Sequence, residues 1–304
     1  MNGGEVAILG HDFGWHGEQL QRAFAQRGVS ARWVPIRACQ LTTVGPGIHL
    51  PGFGEGLPRA VFVRGIPGGT LEEIVFCLDI LHALHHVGGT VYNPARAIER
   101  SVDKALTSWL LGRTGVPTPP AWALTDPERA AAIRRREEAA GHRLVLKPLF
   151  GAMGQGVRLL EPGCPLPRPE ELDGVYYLQR FVPPAAAGEW CDWRVLVVNG
   201  EPAGAMQRFG GSWINNRAQG GDCRAAVASR NLEEMAVAAA RVLGLDYAGV
   251  DLIRDPAGGF QVLEVNGIPA WKGLQSVLPV DLAGRLADGL LHAAQCGTFG
   301  EVAE

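Results

Sequence analysis

Asp251, Glu264 and Asn266 are the residues whose types and spacing most directly suggest chemistry. They lie on two runs with strand-like alternation, 249–254 and 260–266, joined by the turn formers Asp255-Pro-Ala-Gly-Gly259. A four-residue loop over 256–259 would set Asp251 directly opposite Glu264, with Asn266 two residues along on the same face. Facing carboxylates repel unless a cation lies between them. Two charged oxygens and an amide suit a hard ion such as Mg²⁺ better than zinc. The competing reading is a surface hairpin whose charges are incidental.

A second group is cationic. Lys147 sits in the strand-like run Arg143–Leu149, ahead of the glycine-rich Phe150-Gly-Ala-Met-Gly-Gln-Gly156 and another strand at 157–160. Strand, glycine loop, strand excludes a Walker A site, which needs a helix after the loop and a Gly-Lys-Ser/Thr ending. Such a hairpin can close its backbone amides over phosphates, or it can be an ordinary glycine turn. Arg64 ends a strand before Gly65-Ile-Pro67. There, at the carboxyl end of an open sheet, a guanidinium can fork onto a substrate carboxylate. His82, His85 and His86 fall at helical spacing without a carboxylate pattern and read as surface or partly packed histidines. Arg134–Arg136, followed at once by Glu137 and Glu138, reads as a solvated face.

The elements that must position these groups fall into three sections, 1–95, 96–183 and 184–304. The first alternates strand and helix: strand 6–9, helix 16–26, strand 29–34, strand 60–64, and a helix capped by Thr70 running to about Val87. That order implies a small open α/β sheet. The loop Gly10–His16 lacks the glycine spacing of a dinucleotide fingerprint. The second section opens with a helix through Leu111, with Ser101 as its cap, and continues with a charged helix at 127–140 and the glycine hairpin. The third holds a strand at 176–182, a hairpin turning at Asn199-Gly200, a polar loop at 212–221, a helix at 232–243, the acidic hairpin and a last helix at 282–292.

Composition sets mild bounds. The chain has 304 residues, 47% hydrophobic, with formal net charge −3, so a sizeable core is affordable and nucleic acid is not the expected partner. Six cysteines without CxxC spacing fit reduced thiols in a cytoplasmic protein. No apolar run reaches membrane-spanning length, and the N-terminus lacks the basic region of a secretory signal.

Taken in order, the pieces Ser101–Lys104, Val145–Gly156, Leu178–Val182, Cys191–Arg194, Asn216–Gly221, Ala248–Asp251 and Leu263–Asn266 resemble the ATP-grasp superfamily. The likeness is greatest to the ribosomal protein S6 glutamate ligase-like (RimK-type) family, with the tetrahydromethanopterin α-L-glutamate ligase branch favoured. The resemblance implies a mixed α/β and α+β chain, an ATP-grasp fold behind an N-terminal pre-ATP-grasp domain. It implies ATP between two lobes, with Lys104 and Lys147 on the phosphates under a loop carrying Gly151, Gly154 and Gly156. Gln179, Arg180, Phe181 and Val182 would meet adenine through backbone groups, with Val145 and Leu263 on its faces and Asp192 near the ribose. Asp251, Glu264 and Asn266 would hold Mg²⁺, with Mn²⁺ as the alternative ion. Arg194, Asn216 and Arg217 would stabilise reacting oxygens. An acceptor carboxylate would become an acyl phosphate, and an amine, by default glutamate, would displace phosphate.

This chain departs from the S6 ligase pattern in places. Arg180 replaces an acidic residue, the basic residue of the polar loop is displaced to Arg217, and Gly267–Leu274 replaces a smaller sequence. The last change points to another acceptor, a pterin side chain held by Trp271, Lys272 and Arg64, unless Trp271 is packing for the last helix. A deazaflavin coenzyme, an amino-group carrier protein and a non-catalytic ATP-binding module are the alternatives, and a homo-oligomer is left open.

Overall fold

The computed structural model describes residues 5–45, 47–151, 154–185, 188, 190–213, 222–226 and 229–296. Its first section contains β1 (Val6–Gly10), α1 (Gly14–Gln26), β2 (Ala31–Pro35), the short pair β3 (Gln40–Leu41) and β4 (Ile48–His49), β5 (Ala60–Val63), α2 (Leu71–His86) and β6 (Thr90–Tyr92). A parallel sheet runs in the order β2-β1-β5-β6. All of β1 and β5 is buried, because a parallel sheet is covered on both faces and its strands read as continuous apolar runs. Thr70 caps α2 in a reciprocal box with Glu73.

α3 (Ala95–Val102) and α4 (Lys104–Arg113) follow. Sequence pattern gave one helix capped by Ser101; the structure has two, meeting at Asp103. The extended Asp103 backbone breaks the helix, and its carboxylate accepts from the Ala105 and Leu106 N–H groups at 2.9 and 3.0 Å. Ser101 lies inside α3 and donates to the Ile98 carbonyl. Lys104 is thereby fixed as the first residue of a capped helix.

β7 (Ala121–Leu124), α5 (Pro127–Ala139), β8 (Leu144–Lys147), β9 (Arg158–Leu159) and β10 (Tyr176–Arg180) build an antiparallel sheet in the order β7-β10-β8-β9. Here the charged face of α5 is a correction. Arg134 and Glu137 are buried, not solvated. Arg134 donates to Glu138 and to the carbonyls of Glu161 and Cys164, and Glu137 receives Arg136 and Arg180.

The last sheet runs β13-β12-β11-β14-β15, from β11 (Trp190–Val198), β12 (Glu201–Gly210), β13 (Asp222–Ala225), β14 (Tyr247–Arg254) and β15 (Phe260–Asn266). α6 (Arg230–Leu243) covers one face, packing Leu232, Ala236 and Leu243 on Val195, Val250 and Val265. The short α7 (Lys272–Gln275) follows, and α8 (Leu282–Cys296) crosses back onto α1 and the first sheet.

The acidic hairpin pairs Asp251 with Glu264 as expected, by a different route. The connection is five residues, with Arg254 opposite Phe260, and a β-bulge between Asp251 and Leu252 absorbs one residue on the partner strand. That extra residue is Leu263. Strict alternation would send Leu263 and Glu264 to opposite faces; the bulge lets both line the cleft while Val262 and Val265 are fully buried.

Candidate active site

A cleft of ≈ 720 Å³ opens between the central sheet and the face of the last sheet opposite α6. Most of the residues singled out from sequence line it: Lys104, Val145, Lys147, Gly151 and Gly154 on one side, Asp192, Arg194, Asp251, Leu263, Glu264 and Asn266 on the other, and Gln179–Val182 between them. Gly156 stands at φ +70°, where a Cβ would also meet Pro148 Cγ at 2.8 Å, so only glycine fits. Asn216 and Arg217 lie outside the described residues.

The cationic side is built on register. Lys147 pairs with Tyr177 and Val145 with Gln179, so these four share the cleft face of the central sheet. Lys147 Nζ donates to Gln179 Oε1 at 2.6 Å, Gln179 Nε2 to the Tyr177 hydroxyl, and that hydroxyl meets Ser108 Oγ at 2.7 Å. Lys104 Nζ donates to the Gly151 carbonyl at 2.9 Å, tying α4 to the glycine loop. Burial pulls the Lys147 ammonium down to about 8; Glu264 opposes the shift and Lys104 adds to it. Lys104 is lowered for the same first reason, against Glu264 and Asp103.

The acidic side is an alternating charge ladder on one sheet face. Arg194 pairs across strands with Asp251, and Asp192 with Arg208. Arg194 Nε and Nη2 donate to the two Asp251 oxygens, both at 2.6 Å. Arg208 donates to both Asp192 oxygens at 2.7 and 2.8 Å and reaches Asp251 at 3.1 Å. Burial drives Asp251 upward, but Arg194 and Arg208 outweigh it and hold the carboxyl below its ordinary value. Burial leaves Asp192 raised in spite of Arg208. Every oxygen of these two carboxylates therefore already accepts from a guanidinium. Glu264 has no arginine partner among the described residues, and Asn266 Nδ2 donates only weakly, at 3.4 Å, to the Gly249 carbonyl.

At the hinge, Arg180 turns its guanidinium onto the buried Glu137 at 2.6 Å. The backbone N–H of Arg180 donates to Pro120 O and that of Phe181 to Arg143 O, so Val182 keeps the unspent donor among the described residues. Trp271 requires a correction. It is 1% exposed and packs in the core with α8, with Arg64 over its ring at 5.3 Å and the edge-on His16 ring at 4.5 Å. Its ring faces are covered, so they cannot stack on a substrate. Lys272 is exposed on the cleft wall, and Arg64 stands behind that wall.

Sequence reading missed Arg208, Tyr177, Ser108, Glu137 and His16. Arg208 and Tyr177 occupy strand positions that alternate with apolar residues, but which face they join depends on register. Ser108 and His16 carry no local signal at all.

Residues 101–290 match the RimK-like ATP-grasp domain. The chain belongs to the RimK-like ATP-grasp family. It is 36% identical over 226 residues to a tetrahydromethanopterin:α-L-glutamate ligase of Methanocaldococcus jannaschii, covering 71% of this chain and 75% of that protein. A probable α-L-glutamate ligase of Xanthomonas campestris is 31% identical over 296 residues, 95% of this chain and 99% of that one. The fold matches the ATP-grasp ligase PsnB complexed with a minimal precursor, with TM-score 0.74 and 23% identity over 96% and 99% of the two chains. This RimK-like protein is an ATP-grasp ligase. No helix among its described residues is long and apolar enough to cross a membrane.

Proposed function

We propose that this ligase joins a carboxylate to the amino group of L-glutamate at the expense of ATP, and that the acceptor is a tetrahydromethanopterin-type pterin. One observation carries the first part: Lys104 and Lys147, both with pKa lowered by burial, face Glu264 and Asn266 across a single cleft. The relatives of that activity, at 31–36% identity, support the second.

Lys104 and Lys147 would neutralise the nucleotide phosphates as compact charges, under the backbone of the glycine loop. Val145 and Leu263 would sandwich adenine, with the Val182 N–H on its edge. The donor set of Glu264 and Asn266 fits Mg²⁺, or Mn²⁺, and such an ion would spread the charge of the phosphoryl oxygens. Asp251 fits that set only if it shares itself with Arg194; as it stands, it anchors Arg194 and Arg208 beside the reacting oxygens. The acceptor carboxylate oxygen attacks the γ-phosphorus and ADP leaves; the amine nitrogen then attacks the acyl carbon and phosphate leaves. Positioning and charge neutralisation dominate both steps, with Arg194 as the oxyanion partner within the described residues and Asn216 and Arg217 as the contribution of the polar loop.

Incubation with ATP, Mg²⁺, L-glutamate and the pterin should release ADP and phosphate and add the mass of one glutamyl residue, glutamate less water, to the pterin. AMP and pyrophosphate as products would reject the acyl-phosphate route. Label from glutamate on a protein, with none on the pterin, would reject the acceptor.

A further inference from the structure

Behind the lysine side of the cleft, Lys147 is held by a chain of neutral side chains. Lys147 Nζ donates to Gln179 Oε1 at 2.6 Å, Gln179 Nε2 to the Tyr177 hydroxyl at 3.4 Å, and that hydroxyl lies 2.7 Å from Ser108 Oγ. Lys147 and Gln179 line the cleft, but Tyr177 and Ser108 do not. These two line a separate hollow beside α4 and β7, together with Trp109, Pro120 and Trp122. Ser108 stands one helical turn after Lys104 on α4. The helix that presents one lysine to the cleft therefore also ends the chain that holds the other.

The direction of the chain follows from its chemistry. An ammonium only donates, so Gln179 must turn its carbonyl oxygen to Lys147 and its amide nitrogen away. The Tyr177 oxygen receives that N–H, and its own single proton then goes to Ser108 Oγ. Burial pushes the Tyr177 hydroxyl up to about 12, against the Ser108 bond, so that proton is present throughout the working range. Gln179 and Tyr177 are each 2% exposed, and a buried amide with an unpaired end is costly. All three bonds point away from the cation, an alignment in which each strengthens the next. A carboxylate in place of Gln179 would hold the ammonium too, but it would cancel the charge that phosphates need.

We propose that Tyr177 and Ser108 are positioning residues of the phosphate site, acting through Gln179 to hold the Lys147 ammonium where it meets the nucleotide. The inference rests on the nucleotide reading above and deepens it: α4 sets Lys104 directly and Lys147 through this chain. Without the Tyr177 hydroxyl, Gln179 Nε2 loses its acceptor. Without the Ser108 hydroxyl, the Tyr177 proton turns back toward Gln179 and opposes that N–H. Either loss favours a flipped amide, which sets two N–H groups against the ammonium and drives it from its place.

Calorimetric titrations of the full chain with ADP and Mg²⁺, and with adenosine in competition against them, test this in Tyr177→Phe, Ser108→Ala and Ser108→Thr. Tyr177→Phe removes one oxygen, and Ser108→Thr keeps the hydroxyl that Ser108→Ala deletes. Affinity for ADP should fall about fivefold or more in Tyr177→Phe and Ser108→Ala, and Ser108→Thr should restore it. Adenosine, which has no phosphate for Lys147 to meet, should bind within about twofold of wild type in all three. A merely structural role would weaken both ligands together. Equal losses for ADP and adenosine, wild-type ADP affinity in both Tyr177→Phe and Ser108→Ala, or a loss in Ser108→Thr as large as in Ser108→Ala overturns the inference. If thermal melts show Tyr177→Phe unfolded, the half-buried Ser108 pair of variants decides alone. A wild type that binds no ADP would sink the nucleotide reading itself, whereas wild-type binding with unmoved variants sinks only the positioning role.

Discussion

Asp251 and Glu264 are cross-strand partners, yet their surroundings give them different work. Asp251 is 5% exposed and holds two guanidiniums, whereas Glu264 faces the cleft without one among the described residues. Glu264→Gln should therefore keep the melting temperature and lose turnover by about a hundredfold or more, because it removes the unclaimed anionic ligand. Asp251→Asn should cost stability first, about 3 kcal/mol, because the half-buried Arg194 loses its counter-charge and the buried Arg208 is left with Asp192 alone. Parallel urea curves and ADP-release rates check the pair; equal effects on both measures would erase the distinction. Lys147 allows a pH test. Its pKa is lowered to about 8, so the protonated, phosphate-binding form dominates below pH 8 and is lost above it. Affinity for ADP should hold from pH 6 to 7.5 and then fall, approaching about tenfold per pH unit. Lys147→Arg keeps its charge throughout and should flatten that profile in calorimetric titrations run across the same range.

At the scale of elements, the cleft depends on a close approach between β14 and the segment after β15. A Cβ on Gly249 would lie 2.8 Å from Pro269 Cβ, a rigid ring that cannot swing aside. Gly249→Ala should cost about 1–3 kcal/mol and displace the wall carrying Ala270 and Lys272. Urea unfolding with kinetics would show it as a lowered midpoint together with a raised KM for the carboxylate substrate; unchanged values for both would mean the wall gives freely. This contact also shows what a sequence carries. Thr70, Gly244 and the Asp255–Gly259 turn were legible because caps and turns are local chemistry. The Asp251–Glu264 pairing was legible too, but through compensating errors, a loop one residue longer and a bulge at Leu263. Short or tertiary-supported elements such as β6, β7 and β13 carried too little pattern. Arg208 and Tyr177 could not be placed at the site because sheet register over long separations is not written locally. The covered faces of Trp271 reflect packing against α8, set more than ten residues further on.

Across the whole molecule, the first sheet and the last are joined by a buried polar knot where β6 ends. Asn93, fully buried, donates to Tyr247 O and Gly267 O at 2.7 and 2.6 Å and accepts from the Asp246 and Tyr247 N–H groups at 2.6 and 3.0 Å. Around it Tyr92 stacks on Tyr247 at 5.1 Å and donates to Asn199, while the Tyr247 hydroxyl donates to Val63 O. Gly267 directly follows Asn266, so the knot fixes the end of the strand that carries Glu264 and Asn266. Among the described residues the central sheet enters no such knot with the first; α4 and the segment after it tie the lysine side to β15 through Val262 N–H to Pro117 O and Thr118 Oγ1 to Val262 O. Asn93→Ala would strand two buried N–H groups and two carbonyls at once, a cost of about 3 kcal/mol or more. Urea unfolding followed by tryptophan fluorescence should show that loss. The concentration of Mg²⁺ needed for half-maximal ADP release should rise at temperatures where the variant is still folded. A normal Mg²⁺ requirement in a folded but destabilised variant would mean that the knot holds the sheets together without setting the position of Glu264 and Asn266.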